Sequence, residues 1–245
     1  MSQPESGEGA KPRILVAGAS EILGRCIVAE FQQANWEVLG YGHSLAHPAK
    51  AASTTTQSFQ FNVDFSDEKV ARETIKQFKP CVIVHVPYER KLGEIDTDLT
   101  TALNVKATKF IAQEAVKIGA WVIYISSDWV YDGTTPPYRE SDEPGPMNTY
   151  GQIKVDGENT LINVTRDSCI LRVPLLYGCI ESLEDSEITA LMLLVLDVSN
   201  KHKLSHHEKY YAASAMDVAR IVRRLCDKRL QDTCLRGIFH WSGHE

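Results

Sequence analysis

The chain has 245 residues, of which 43% are hydrophobic and 24% charged, with a formal net charge of −6. That length and composition fit an ordinary soluble globular protein with one large α/β domain, or one domain and part of a second. The negative balance gives no electrostatic reason to expect nucleic acid or an anionic membrane as partner, and the longest apolar run, residues 190–196, is too short to span a bilayer.

Residues 1–12 are polar, contain Gly, Pro and Ser, and lack the apolar core of a signal peptide, so they read as a disordered tail. An apolar strand at 13–17 leads through Gly18-Ala19-Ser20-Glu21-Ile22-Leu23-Gly24 into a helix at 22–34. Strands follow at 37–40 and 59–63, then a helix at 68–78 and a strand at 81–86. A long helix within 97–118, a strand at 121–126, a helix at 149–163 and a strand at 169–173 come next, and a helix at 216–229 and a strand at 237–241 close the series. Strand and helix alternate from end to end, which predicts an α/β fold with a parallel, doubly wound sheet. The last helix has the plainest pattern, with Val218, Ile221, Val222 and Leu225 at i, i+3, i+4 and i+7 and Ser214-x-x-Asp217 as its capping signal. Residues 128–148, with Pro136, Pro137, Pro144 and Pro146, are long for a βα connection, a length often found in functional loops. Residues 183–211 fit the alternation poorly and are assigned to a small cap.

Cys26, Cys81, Cys169, Cys179, Cys226 and Cys234 show no C-x-x-C spacing, and several lie in apolar runs, which indicates a reduced setting, cytoplasmic or nuclear. His202-x-x-x-His206-His207 has the spacing of a metal pair, but the glutamate of H-E-x-x-H is missing and lysines surround it, so it reads as a solvated loop. The acids of 181–187 and Asp132-Gly133 read as turns, and Asn163-Val164-Thr165 as a helix end or loop.

Two stretches carry chemistry. A Gly-rich turn after the first strand, opening a helix, offers backbone N–H donors and a positive dipole end to a pyrophosphate, although Gly18 and Gly24 are equally what helix–strand packing requires. The stretch 124–133 (YISSDWVYDG) ends a strand and precedes Tyr150-Gly-Gln-Ile-Lys154. Tyr150 and Lys154, at i and i+4, share a helix face, where an ammonium lowers a phenol pKa and suits it to general acid chemistry. Ser127 is placed to hold a carbonyl oxygen.

In this order the motifs resemble the extended short-chain dehydrogenase/reductase family, which has a Rossmann-like fold. Within it, residues 30–38 (EFQQANWEV), 122–140 (VIYISSDWVYDGTTPPYRE), 150–158 (YGQIKVDGE), 171–178 (LRVPLLYG) and 239–243 (FHWSG) are similar to the branch of regulatory β subunits of methionine adenosyltransferase, itself similar to the reductases that make dTDP-rhamnose. The resemblance covers residues 13–245. It implies NADP-binding positions at Gly18, Ser20, Glu21, Ile22, Leu23, Gly24, Asp64, Tyr88, Asn104, Tyr150, Lys154 and Pro174, and a catalytic set at Ser127, Tyr150 and Lys154. For the β-subunit branch it implies the catalytic α subunit as partner. The implied division is a tail at 1–12, a Rossmann-like domain at 13–178 and a partial cap at 179–245, since the family continues past WSGHE with further helices.

Three positions depart from that pattern. Glu21 replaces the glycine that lets backbone approach the pyrophosphate, and Tyr41-Gly42-His43-Ser44 offers neither an Arg for a 2′-phosphate nor an Asp for a ribose diol. Pro87-Tyr88 replaces two small residues beside the nicotinamide ribose. A carboxylate about 4–6 Å from a phosphate charge costs roughly 3–4 kcal/mol at an effective dielectric near 20. NADP binding is therefore expected to be weak or absent. The sequence favours a non-catalytic regulatory subunit, with the aromatic and proline-rich loop at 131–138 as its contact surface; the alternative is an NADP-dependent reductase acting on a nucleotide-sugar.

Overall fold

The apolar runs become strands because nearly every one is covered on both faces, the condition under which parallel sheets occur. The computed structural model describes residues 10–42, 59–61, 63–87, 96–178, 180, 186–200 and 209–242. Strands β1 (Arg13–Ala17), β2 (Glu37–Gly42), β3 (Phe59–Phe61), β4 (Val82–His85), β5 (Trp121–Ser127), β6 (Ser168–Val173) and β9 (Gly237–His240) form one seven-stranded sheet in the order β3-β2-β1-β4-β5-β6-β9. Every pairing in it is parallel, as the alternation of elements predicts. Helices α1 (Ile22–Gln33) and α7 (Ala215–Gln231) cover one face, where Ile27, Phe31, Val218 and Val222 are buried. Helices α2 (Glu68–Phe78), α4 (Ala107–Ile118) and α5 (Thr149–Val164) cover the other, with Ala71, Ile75, Ile111 and Leu161. The direction of winding reverses between β1 and β4, which are neighbours, and a crevice opens beyond their carboxyl ends.

Three elements differ from expectation. The helix within 97–118 is not uniform: α3 (Thr97–Thr101) passes through a π turn, Ala102–Lys106, into α4. Within it the Asn104 side chain donates to Thr100 O (2.9 Å) and Thr108 Oγ1 donates to Asn104 O (2.6 Å), so polar side chains satisfy backbone groups where the regular ladder shifts. Ser214 ends up at the N-cap of α7 without capping it by its side chain, because it lies in β8 (Ala213–Ser214), which pairs with β7 (Leu176–Tyr177). Within 183–211 stands α6 (Glu187–Leu196), whose apolar residues run without helical period. Residues 1–9, His43, Ser44, Tyr88, Cys179, residues 181–185, His202, His206, His207 and 243–245 lie outside the described residues. Among the described residues, no helix is long and apolar enough to cross a membrane.

Candidate functional site

The crevice begins at the end of β1. Gly18 turns the chain at φ +95°, and a Cβ there would stand 2.1 Å from Val86 O. A Cβ on Gly24 would stand 2.0 Å from Gly18 O, so α1 rests directly on the turn. The N–H groups of Gly18 and Ala19 both donate to Tyr41 O (2.8 and 2.7 Å), which ties the turn to β2. Packing thus accounts for both glycines. Glu21 is the N-cap of α1 but makes no side-chain cap; its Oε1 accepts from Ser20 Oγ at 3.4 Å. The Arg25 guanidinium donates to Ser20 O. Glu21, Ile22 and Leu23 line the crevice.

The opposite wall is β5 and α5. Asn148 Oδ1 accepts from Gly151 N (2.8 Å) and starts α5, which places Tyr150 and Lys154 one turn apart, both buried and both lining the crevice with Ser127. Lys154 Nζ donates to Pro87 O (2.7 Å) and Ile125 O (3.1 Å) and lies 5.6 Å from the centre of the Tyr150 ring. Burial pushes its pKa down to about 7, against the opposing pull of Glu158. The lysine is a clamp between the ends of β4 and β5. Ser127 Oγ accepts from Trp129 N (3.2 Å) and donates to Asp128 Oδ1 (3.3 Å), while the Trp129 ring meets Tyr150 edge-on at 6.1 Å. A phenol, a serine hydroxyl and a lysine that deprotonates near neutrality therefore share one crevice, a set able to offer hydrogen bonds and a proton to a carbonyl.

Of the other positions named from the sequence, Pro174 lines the crevice at the end of β6. Ser20 packs on the turn beside Gly42. Asn104 is buried behind the wall, its Oδ1 accepting from Tyr124 OH at 2.9 Å, and it is not among the lining residues. Asp64 is used locally, its Oδ1 accepting from Ser66 N at 2.8 Å. The loop at 131–138 does not present all its aromatics: Tyr131 is buried, stacked on Tyr138 at 4.3 Å, and donates to Arg139 O.

Sequence reasoning missed two polar groups beneath the crevice. Arg172 of β6 donates through Nε and Nη2 to the two oxygens of Glu158 (3.0 and 2.6 Å) and through Nη1 to Tyr131 OH (2.6 Å), and Ser126 Oγ also donates to Glu158. An arginine inside the apolar strand "CILRV" was the available signal. His85, at the end of β4, donates through Nε2 to Leu103 O (3.0 Å), while its Nδ1 is buried without a hydrogen-bond partner. Burial holds its pKa down at about 3, so the imidazole is neutral.

Whether these residues fit a dinucleotide divides by atom type. The backbone suits one: a positive-φ glycine, a second glycine without room for a Cβ, and the first turn of α1 facing the crevice. The side chains do not, because the Glu21 carboxylate lines the same wall and opposes a phosphate there.

Comparison with known proteins returns the same architecture. The chain is 40% identical over 235 residues to methionine adenosyltransferase 2 subunit beta of Pongo abelii, covering 95% of this chain and 67% of that protein. It is 32% identical over 149 residues to dTDP-4-dehydrorhamnose reductase of Salmonella typhimurium, covering 60% of this chain and 49% of that one. The solved dTDP-4-dehydrorhamnose reductase of Bacillus anthracis, in complex with NADP, superposes with a TM-score of 0.73 at 20% identity, over 98% of this chain and 77% of its own, a likeness of fold. The family model for the RmlD substrate binding domain matches residues 12–245, and on that extent of match the chain belongs to this family.

Proposed function

We propose that the chain is a non-catalytic regulatory subunit that binds the catalytic subunit of methionine adenosyltransferase and modulates S-adenosylmethionine synthesis. The observation that carries this reading is the 40% identity, over 95% of the chain, to proteins named as the beta subunit of that enzyme. The crevice supports it from the chemical side. Glu21 sets a negative charge among the amides that would hold a pyrophosphate, and Lys154 is committed to two backbone carbonyls. Dinucleotide binding is accordingly weak or absent, and Lys154 serves mainly to join α5 to the ends of β4 and β5.

The alternative is an NADP-dependent reductase acting on a nucleotide-sugar, since Ser127, Tyr150 and Lys154 do share the crevice. The two readings separate in one pair of assays. Light scattering of the chain mixed with the catalytic subunit should show a complex at tens of micromolar, while calorimetric titration with NADPH should show no binding near a micromolar Kd. Absence of a complex, together with NADPH-dependent reduction of a keto-sugar nucleotide, would reverse the assignment.

A further inference from the structure

Lys154 is a nucleophile that the regulatory reading leaves unused. It is 2% exposed, and what it does show lines the crevice beside Pro87, Ile125, Ser127, Trp129 and Tyr150. An ammonium carries three N–H groups, whereas a neutral amine carries two and a lone pair. Nζ donates to two carbonyls, Pro87 O (2.7 Å) and Ile125 O (3.1 Å), and among the described residues it has no third hydrogen-bond acceptor. The neutral amine therefore satisfies the site completely, and its lone pair takes the remaining tetrahedral direction. Around it stand Glu158 and Tyr150 on α5, His85 at the end of β4, Tyr124 on β5 and Glu21 across the crevice. Glu158 is already held by Arg172 and Ser126, and His85 is neutral, so desolvation prevails and the lysine pKa falls to about 7. At pH 7 about half of it is the amine, against roughly one part in 2,500 for an ordinary lysine.

We propose that Lys154 is a covalent binding site for small apolar aldehydes, which enter the crevice and form an imine on Nζ with Tyr150 as the proton donor. The nitrogen lone pair attacks the carbonyl carbon, the C=O π pair moves to oxygen, and one nitrogen proton passes to that oxygen to give a carbinolamine. Tyr150, one helical turn before Lys154, then protonates the hydroxyl. The C–O bond breaks, water leaves, and the nitrogen lone pair forms the C=N bond. The phenolate takes back the last N–H proton, so amine and aldehyde give imine and one water, with nothing oxidised or reduced. The protonated imine keeps one N–H for one of the two carbonyls and the imine keeps none, so the adduct loosens the clamp and stays reversible. The class of ligand follows from the walls. Val86, Pro87, Ile125 and Val173 make the crevice apolar, and the only charged side chain lining it besides Lys154, among the described residues, is Glu21, which disfavours anionic aldehydes. An aldehyde carbon also carries a hydrogen where a ketone carries a second substituent, and an amine 2% exposed needs that room.

The test is reductive trapping of the whole chain with benzaldehyde and cyanoborohydride at pH 6, 7 and 8, read by peptide mass spectrometry, with free Nα-acetyl-lysine in the same tube as an ordinary amine. At pH 7 the benzyl group should appear on Lys154 at least about tenfold more than on the standard, part of the ionisation advantage being lost because burial slows entry. From pH 8 to pH 6 the amine form of Lys154 falls about tenfold and that of the standard about a hundredfold, so the ratio between them should rise about tenfold. Tyr150→Phe should lower labelling of Lys154 at least about tenfold with circular dichroism unchanged. 4-Carboxybenzaldehyde, an anion, should label Lys154 at least about tenfold less than benzaldehyde does, and unfolding in urea should bring Lys154 to the level of the standard. Labelling of Lys154 no greater than the standard, a ratio flat with pH, labelling undiminished by Tyr150→Phe or by the carboxylate, or a preference that persists in urea each overturns the inference. The wild-type pH series needs no variant and decides even where Tyr150→Phe fails to fold. The inference rests on the crevice and not on the regulatory reading, and because the chain is labelled alone, either can fail without the other.

Discussion

Replacing Glu158 by Gln leaves the Arg172 guanidinium charged in a site where it is 2% exposed and its partner 4%. Arg172 then loses a charge-assisted pair at 3.0 and 2.6 Å and keeps Tyr131 OH and a single neutral amide oxygen, with an NH2 group that cannot accept in place of the second. Breaking one half of a buried pair costs about 3–5 kcal/mol, most of it the stranded charge. That is a large fraction of the roughly 5–15 kcal/mol that holds a domain together. For a chain of this size it lowers Tm by on the order of 10 °C. Arg172→Met alone should cost a similar amount through the stranded carboxylate. The double change, Arg172→Met with Glu158→Leu, should recover most of the loss, because apolar groups of similar volume remove both desolvation penalties. Urea unfolding of the four proteins closes the cycle. Single changes costing less than about 1 kcal/mol, or a double change costing the sum of the two, would refute a stabilising coupled pair.

Other expectations follow from single residues. His85 is neutral in the fold, with a pKa near 3, but takes a proton near pH 6.5 once unfolded, so the unfolded chain binds more protons in that window and stability falls as pH drops through it. Between pH 7 and 5 the loss is about 2 kcal/mol, and His85→Asn should flatten that slope in urea melts; an unchanged slope would remove His85 as its source. Gly24→Ala sets a Cβ 2.0 Å from Gly18 O and should cost more than about 2 kcal/mol, whereas Gly133→Ala, with nothing within 4 Å of its added Cβ, should cost only the strain of φ +72°. Glu21→Gly should raise NADP affinity by on the order of tenfold, less than the full Coulomb figure because Glu21 is only partly buried; calorimetry showing equal affinities would mean the carboxylate swings clear.

The sheet was readable in the sequence because its strands are short apolar runs broken by polar helices, and a parallel sheet buried on both faces enforces that contrast. The crevice was readable in part. Gly18, Gly24, Tyr150 and Lys154 sit at positions fixed by local geometry, a turn and one helical repeat, and such spacing survives in one dimension. Lys154 clamping Pro87 O to Ile125 O, and Arg172 reaching both α5 and the loop at Tyr131, join elements far apart in the chain and leave no periodic trace. The π turn at Ala102–Lys106 was hidden because a one-residue shift in the hydrogen-bond ladder barely alters the apolar pattern. Helix α6 was hidden for the opposite reason. An apolar run without alternation has no period to detect, and what it packs against is not encoded in the run itself.

The regulatory assignment meets its most direct test in the rate of the methionine adenosyltransferase catalytic subunit at limiting methionine, measured as this chain is added up to and beyond one equivalent. A saturable change in that rate with a break near stoichiometry is the expected result, and Tyr150→Phe should give the same curve, since the phenol has no chemical part in it. A rate unmoved by excess chain would contradict a regulatory role.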